Sequence, residues 1–448
     1  MEKIEESILD RLNELVSRAR SRGVDEADAI YVHGTSLSTT HRLGQPEHLE
    51  RSEGADIGLR VIIGNRQAIV SSSDISEPAL EELLERGVAM AKVVPEDEFS
   101  GIAPAELLAM NVPELDECDP DAPDTKKLTD LAARTEAAAL AINGVNNSEG
   151  GDAGWSRSFI ALTTSNGFSR ARVRTSFSLS AAVLAGEGTN MERDYDWATA
   201  VHFEDLPEPE EIGKRAGEQA VKRLNPRKVE TAQVPIIYDP RVSQSLPSHF
   251  AAAINGAAVA RGTTFLMDRM GKQVTAKGLS IIDDPLRPRG LRSKGFDGEG
   301  IPTQKRSLVE DGILLSWILD LRSARQLGLK TTGNATRGIS SPPSPSATNL
   351  YLKAGNISPK ELISDVKQGF YVTEMMGQGI NLVTGDYSRG ASGFWIENGE
   401  ILQPVSEITI AGNLRDMFMQ MSPANDLVYR YGINAPTVRV DGMTVAGK

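Results

Sequence analysis

The stretch WSRSFIALTTSNGFSRARVRTSFSLSAAVLAG, residues 155–186, alternates apolar and polar side chains on both sides of Asn166-Gly167. Alternation with a period of two is typical of strands that bury one face, and Asn-Gly between two such runs favours a tight hairpin turn. The hairpin is preceded by TKKLTDLAARTEAAALAING at 125–144, which is rich in the strong helix formers Ala and Leu. A helix followed by a hairpin predicts an antiparallel sheet layered against helices.

The flanking segments repeat this order of helix and hairpin. Residues 8–19 place apolar side chains at helical spacing and are followed by Gly23, which suits a left-handed helix cap. Strand-like runs flank Gly64-Asn65, and residues 76–93 and 208–223 return to helical periodicity. The predicted fold class is therefore α+β, with an antiparallel sheet and helices in the N-terminal region.

The second half of the chain is predicted to be β-rich. VPIIYDP at 234–240 indicates a strand, and strand-like runs flank Asp311-Gly312 and Asn398-Gly399. Repeated hairpins indicate a curled antiparallel sheet in a C-terminal domain. SSPPSPS at 340–346 is so rich in Pro and Ser that we expect a mobile surface loop that does not pack.

Composition marks two connections between these regions. Residues 94–124 are rich in Pro and acidic side chains, and NPRKVETAQ at 225–233 is typical of a linker. We therefore expect an N-terminal α+β subdomain at 1–115, a central helix and hairpin subdomain at 116–229, and a β-rich C-terminal domain at 230–448.

Overall composition argues against several classes of function. Across 448 residues, 48 Lys and Arg stand against 61 Asp and Glu, a net charge of −13, which disfavours nucleic acid as a partner. The sequence has no apolar run of about 18 residues, and it opens with MEKIEES rather than a basic and then apolar stretch. We expect a cytoplasmic protein without a membrane span or secretory signal. The single cysteine, Cys118, excludes an internal disulfide and thiolate-rich metal sites.

The segment SLPSHFAAAINGAAVARGTTFL at 245–266 raises the question of a metal site, because it contains one imidazole. A hydrolytic zinc site needs about three ligands, an open position for water and usually a carboxylate base. His249 is followed by Phe250, three alanines and Ile254, so these residues alone favour a structural histidine. The other histidines lie in separate segments and make only a weak metal-site hypothesis: His33, His41, His48 and His202.

Three segments resemble the PmbA/TldE branch of the TldD/PmbA family. They are SHFAAAINGAAVARGTTFLMDRMGKQ at 248–273, GILLSWILDLRSARQLGLKTTGNATRG at 312–338, and VTEMMGQGINLVTGDYSRGASGFWIENGEILQPVSEITIAGNLRDMF at 372–418. The resemblance implies a non-catalytic subunit that pairs with a TldD-type subunit in a heterodimeric zinc protease. Such complexes enclose a chamber and cut unfolded peptides, peptide-antibiotic precursors and antitoxins. Family members also carry the name modulator of DNA gyrase.

The resemblance also explains the lone imidazole. TldD-type subunits carry HExxxH on a helix and a cysteine ligand late in the chain. At the matching positions this sequence has His249, Phe250 in place of the glutamate and Ile254 in place of the second histidine, and it has no cysteine after Cys118. The resemblance therefore implies no catalytic residue and no metal in this chain, with zinc in the TldD-type partner.

GDYSRGASGFWIENGEI at 385–401 would suit the wall of a groove that binds extended peptides by strand addition. The substrate-groove candidates are Asp386, Tyr387, Ser388, Arg389 and Ser392. The alternative is that Asp386 and Arg389 only fasten a Gly-rich turn.

Two other functions remain open from the sequence. One is an autonomous metallopeptidase with an unrecognised site, built from the other histidines and carboxylates. The second is a binding protein without chemistry that modulates DNA gyrase or a toxin–antitoxin system. Because related subunits share architecture, we also expect the isolated chain to form a homodimer.

Overall fold

The computed structural model describes residues 2–447. The helices are α1 (Glu2–Ser21), α2 (Glu77–Ala91), α3 (Thr125–Leu140), α4 (Pro209–Lys222), α5 (Pro240–Ser243), α6 (Ser245–Ala253), α7 (Gly256–Ala260), α8 (Leu321–Leu327), α9 (Pro359–Ile363) and α10 (Leu414–Met419). The strands are β1 (Glu26–Arg42), β2 (Gln45–Ile63), β3 (Arg66–Ser72), β4 (Val145–Thr164), β5 (Ser169–Ala185), β6 (Glu192–Ala200), β7 (Ala232–Tyr238), β8 (Ile281–Asp283), β9 (Arg306–Glu310), β10 (Ile313–Leu314), β11 (Ala335–Thr336), β12 (Ser344–Pro345), β13 (Leu350–Leu352), β14 (Gln368–Ile380), β15 (Asp386–Glu397), β16 (Glu400–Asn413), β17 (Met421–Pro423), β18 (Ile433–Asn434) and β19 (Val438–Ala446).

The N-terminal sheet is antiparallel and has the strand order β3-β2-β1-β4-β5-β6. Hairpins about Gly64-Asn65 and Asn166-Gly167 join β2 to β3 and β4 to β5, which confirms both predicted turns. The centre of the sheet pairs β1 with β4, placing Asp28 opposite Thr164. Strands from both sides of residue 115 therefore share one sheet, although the regions 1–115 and 116–229 contribute separate helices.

Helices cover one face of this sheet. Side chains of α1 and α2 pack on β1, β2 and β3, where Leu15, Leu59 and Leu83 are almost fully buried. Side chains of α3 and α4 pack on β4, β5 and β6. Because one face of each strand is apolar, burying it against the helices provides the main stabilisation of the layer.

The C-terminal domain contains a curled sheet, as predicted, and the curl is complete. Its strand order is β16-β15-β14-β7-β19-β17, and β16 also pairs with β19. The strands β16, β15, β14, β7 and β19 therefore form a closed ring, which we call the C-terminal ring. One of its pairings is parallel, between β7 and β14. A second sheet of order β10-β9-β8-β13-β18 lies in the same domain.

The expectation of an unpacked loop at 340–346 is wrong. Pro343 and Pro345 are buried, and the strand Ser344–Pro345 pairs with Ala335–Thr336. The carbonyl of Pro345 accepts a hydrogen bond from Asn255 Nδ2 at 2.8 Å. Proline has an apolar ring and no N–H group to satisfy, so it is tolerated in a short edge strand of this kind.

Buried charges join the N-terminal sheet to the C-terminal domain. Asp28 on β1 accepts a hydrogen bond from Arg60 Nε at 2.6 Å and pairs with Arg337 of the C-terminal domain. The three side chains are almost fully buried. Burial lowers the pKa of the Arg337 guanidinium to about 9. We call Asp28, Arg60 and Arg337 the charge junction.

A glycine permits close approach beside the charge junction. A Cβ atom on Gly58 would overlap the backbone carbonyl of Ile339, whereas a Cβ on Gly54 in the same strand would meet open space. We expect Gly58→Ala to lower the free energy of unfolding by about 1–3 kcal/mol. Gly54→Ala should change it by less than about 0.5 kcal/mol. Urea unfolding of both variants checks this, and equal midpoints would contradict the tight contact.

Candidate functional site

The segment at 245–266 folds as a core element. Phe250 and Ile254 have no exposed surface, and the Phe250 ring lies 5.3 Å from the Phe418 ring in an edge-on contact. Leu246 and Ala253 are buried on the same side of α6. The positions that would carry the base and second imidazole in HExxxH thus contribute apolar packing to the interior of the domain.

His249 lies beside this apolar face and is electrically neutral at neutral pH. Its Nε2 atom is buried and has no hydrogen-bond partner among the described residues. The imidazole lies edge-on to Tyr387, with 6.1 Å between ring centroids. Burial lowers the pKa of His249 to about 4, and the positive charge of Arg389 acts in the same direction. Both causes disfavour a cation at this imidazole.

The surroundings of His249 do not fit a zinc ion. Zinc requires several nitrogen, sulfur or carboxylate ligands close together. Within residues 2–447, no group of three or more His, Cys, Asp or Glu side chains could hold a metal. The side chains near this imidazole are instead the phenol of Tyr387 and the guanidinium of Arg389. A fixed positive charge beside a single ligand opposes the binding of a divalent cation.

The other histidines are distributed over the N-terminal sheet and the region beside it. Each has a nearby carboxylate as its partner: His33 with Glu53 at 3.2 Å, His41 with Glu136 at 2.9 Å, His48 with Glu50 at 3.4 Å and His202 with Asp116 at 3.0 Å. The structure does not bring these histidines together, and a histidine paired with one carboxylate is ordinary structural chemistry.

Two of the five groove candidates have side chains that are buried beneath β15, in the interior of the domain. Tyr387 and Ser392 are both buried. The Tyr387 hydroxyl donates to Met375 Sδ at 3.2 Å and accepts from the Tyr238 hydroxyl at 3.4 Å. Burial raises the pKa of Tyr387. These side chains are therefore placed to fix the shape of β15 rather than to face solvent.

The other three candidates lie at or near the surface. Asp386 accepts hydrogen bonds from Thr384 Oγ1 at 2.6 Å and Asn413 Nδ2 at 3.2 Å, so it fastens the turn between β14 and β15. Ser388 is exposed. Arg389 donates from Nε to the carbonyl of Met376 at 3.2 Å and borders a cavity. Of the five candidates, Arg389 alone lines this cavity.

The cavity beside Arg389 has a volume of about 490 Å³. Its wall combines residues of β6, of the α5–α6 segment, of β14 and β15, and of two loops. We call it the arginine pocket and define it by Trp197, Ser245, Ser248, Arg292, Arg389 and Tyr431. The sequence did not predict it, since Trp197, Arg292 and Tyr431 belong to no motif and the pocket residues come from distant parts of the chain.

Sequence comparison assigns this fold to a known class. Family models match in chain order: PmbA/TldA metallopeptidase domain 1 over residues 27–91, the central domain over residues 118–224, and the C-terminal domain over residues 231–447. These three matches define a chain of the PmbA/TldA metallopeptidase class. The chain belongs to the PmbA/TldD metallopeptidase family.

Relatives cover nearly the whole chain. It is 38% identical to Metalloprotease PmbA of Escherichia coli O157:H7, over 98% of this chain and 96% of that protein. A candidate modulator of DNA gyrase from Bacteroides thetaiotaomicron superposes with a TM-score of 0.90 at 25% identity, covering 98% of both chains. TldE from Thermococcus kodakarensis shares the fold, with a TM-score of 0.83 at 21% identity over 98% of this chain and 100% of that chain. Within residues 2–447, no helix is long and apolar enough to cross a membrane.

The buried imidazole makes stability depend on pH in acid. The pKa of an unperturbed histidine is 6.5, whereas that of folded His249 is about 4. Between these values the unfolded chain binds more protons, so stability falls as the pH falls through this range, and above pH 7 the contribution vanishes. We expect His249→Gln, which takes up no proton, to lose less stability in acid than the native chain.

Urea unfolding midpoints at neutral pH and near pH 5 measure this difference. His48→Gln replaces an exposed histidine and should keep the pH dependence of the native chain. An equal loss of stability in acid for the native chain and His249→Gln would contradict a buried, neutral imidazole.

Proposed function

We propose that this chain is the non-catalytic, PmbA/TldE-type subunit of a heterodimeric zinc metallopeptidase of the cytoplasm. A TldD-type partner supplies the zinc ion and the base, and the pair cuts unfolded peptides, including peptide-antibiotic precursors and antitoxins. The observation that carries this proposal is the environment of His249. Its helix packs Phe250 and Ile254 into the core, and its imidazole stands near a guanidinium instead of further ligands.

Membership in a metallopeptidase family supports a role in peptide cleavage. Because the residues around His249 do not fit a zinc ion, we infer that this chain contributes by binding the peptide. We infer that Ser388 and Arg389 meet the peptide, because they are the groove candidates at or near the surface whose side chains do not fasten the adjoining turn. Tyr387 and Ser392 hold the strand in position from the interior, and Asp386 holds the adjoining turn.

Co-expression with a TldD-type subunit tests the proposal. We expect the purified pair to cleave an unfolded peptide and this chain alone to remain at the background rate. The matched control is a pair whose TldD-type subunit has lost its own zinc ligands, which should be inactive although this chain is intact. Cleavage by this chain alone at the rate of the pair, or stoichiometric zinc retained by it, would contradict the proposal and favour an autonomous enzyme.

The isolated chain should form a homodimer. Subunits of one family share their architecture, so the surface that meets the partner can meet a second copy in a two-fold contact. Sedimentation velocity at micromolar concentration should show a dimer, and addition of the TldD-type subunit should convert it to a heterodimer. Only monomer at that concentration would contradict this expectation.

A further inference from the structure

The arginine pocket carries positive charge that the described carboxylates leave unpaired. Arg292 and Arg389 both line it. Among the ion pairs of the described residues, neither guanidinium has a carboxylate partner, and Arg389 donates only from Nε to the carbonyl of Met376 at 3.2 Å. Arg292 is exposed. In a chain with a net charge of −13, two unpaired guanidinium groups at one cavity mark a local preference for an anion.

The remaining charges of the pocket wall are already neutralised. Arg241 Nη1 lies 2.8 Å from Asp194 Oδ1. Glu374 lies 2.5 Å from Arg223 Nη1. Each of these wall groups therefore has a partner of opposite charge, and the unpaired charge of the pocket comes from Arg292 and Arg389.

An aromatic pair forms a second, less polar part of the same pocket. The rings of Trp197 and Tyr431 lie 4.3 Å apart and are inclined by 35°. The Tyr431 hydroxyl is buried and has no hydrogen-bond partner within the described residues. Ser245 and Ser248 add hydroxyl groups from the exposed side of α6. The pocket thus offers cations for a charged group and aromatic surface for an adjoining side chain.

A neighbouring cavity extends the pocket across the open face of the N-terminal sheet. It has a volume of about 480 Å³ and shares Tyr195 and Trp197 with the arginine pocket. Ser178 and Ser180 of β5 line it, together with Asp152 of β4. An extended chain lying on this polar face would reach the two arginines at its end.

We propose that the arginine pocket binds the C-terminal carboxylate of a peptide, with Arg292 and Arg389 holding the carboxylate and Trp197 and Tyr431 contacting the last side chain. The inference rests on the proposed function, since it takes peptides as the substrate class. Guanidinium groups pair with carboxylates through two parallel hydrogen bonds. The volume of the pocket falls within the range typical of small-ligand sites, about 300–1,000 Å³.

Fluorescence anisotropy on the isolated full chain tests the proposal. The probe is a labelled, unfolded peptide prepared both as the free C-terminal acid and as the C-terminal amide. We expect the acid to bind at least about 10-fold more tightly than the amide, as a charge-assisted contact predicts. Arg292→Gln should remove this preference, and Arg292→Lys should keep part of it. Arg51→Gln, at an exposed and remote arginine, is the matched control and should keep all of it.

Several outcomes would overturn the assignment. Equal binding of the peptide acid and the peptide amide by the native chain would do so. The assignment would also fail if the double variant Arg292→Gln, Arg389→Gln, shown to be folded by its melting temperature, preferred the acid as strongly as the native chain does. Inorganic phosphate binding as tightly as the peptide acid would make this a site for small anions instead.

The same measurements separate this inference from the proposed function. If the co-expressed pair cleaves peptides but the native chain shows no preference for the acid, the arginine pocket assignment fails and the subunit role stands. If the chain prefers the acid but the pair cleaves nothing, the pocket stands and the subunit role fails.

Discussion

Asp28→Ala will lower the free energy of unfolding by about 3–5 kcal/mol, because it removes the carboxylate that pairs with two buried guanidinium groups and leaves Arg337 without an ion-pair partner among the described residues. Arg60 and Arg337 have almost no exposed side-chain surface, so water cannot replace the lost carboxylate. Burial lowers the pKa of both groups, and on Arg60 it outweighs the opposing charges of Glu299, Glu26 and Asp320. Urea unfolding at neutral pH measures the loss.

Two further variants make the interpretation specific. Glu53→Ala removes a carboxylate from an exposed pair with Arg51, and it should change the free energy of unfolding by less than about 1 kcal/mol. Placing Asp28→Leu in a chain that also carries Arg60→Leu and Arg337→Met should cost less than Asp28→Leu alone, since no guanidinium of the charge junction is then left without Asp28. A small effect of Asp28→Ala would show that the junction is hydrated.

Asp194→Ala will have a comparable effect, about 3 kcal/mol or more, at a second buried contact between the N-terminal sheet and the C-terminal domain. Asp194 on β6 is buried and lies 2.8 Å from Arg241 and 3.3 Å from Arg223. Arg241 also donates to the carbonyl of Thr373 on β14 at 3.1 Å, so this carboxylate helps to hold β6 against β14.

Thermal and urea unfolding check the Asp194→Ala prediction. Asp130→Ala, at an exposed carboxylate 3.7 Å from Arg134, should leave the midpoint nearly unchanged. Because Arg241 borders the arginine pocket, we also expect Asp194→Ala to weaken binding of the peptide acid. Native stability of Asp194→Ala would indicate that Glu374 and Glu192 suffice to neutralise Arg223 and that Arg241 finds other partners.

The turns could be predicted because their chemistry is local. Asp311 and Gly312 have φ angles of 47° and 80°, and Asn398 and Gly399 have 51° and 80°. These are left-handed conformations that Asn, Asp and Gly adopt most readily. Each dipeptide therefore identifies a hairpin where it stands between two strand-like runs, and all four predicted hairpins are found.

The long-range pairings could not be predicted in the same way. The parallel pairing of β7 with β14 and the closure of the ring by β16 and β19 join segments far apart in the chain. They depend on which buried faces fit together, and no local dipeptide encodes that fit. The buried prolines at 343 and 345 show the same limit. The Pro- and Ser-rich composition of this segment predicted a loop, but it could not show that other parts of the fold cover the two proline rings.

The candidate site divides in the same manner. The loss of metal ligands around His249 follows from the order of residues in one short helix and from the family resemblance. The arginine pocket needed the structure, because Trp197, Arg292 and Arg389 meet only after the sheet and the ring have come together. In sequence, Trp197 and Arg292 had no pattern around them, and Arg389 was a groove candidate with no indication of these two neighbours.

Closure of the C-terminal ring sets an order of events during protein synthesis. The strand that completes it, β19 at residues 438–446, pairs with β7, β16 and β17, whereas the N-terminal sheet has all of its strands by residue 200. The sheet can therefore fold while the ribosome is still translating the C-terminal domain, but the ring must wait until residues 438–446 have emerged. Until then β7 and β16 have unpaired edges, and this nascent chain would be a natural client for chaperones.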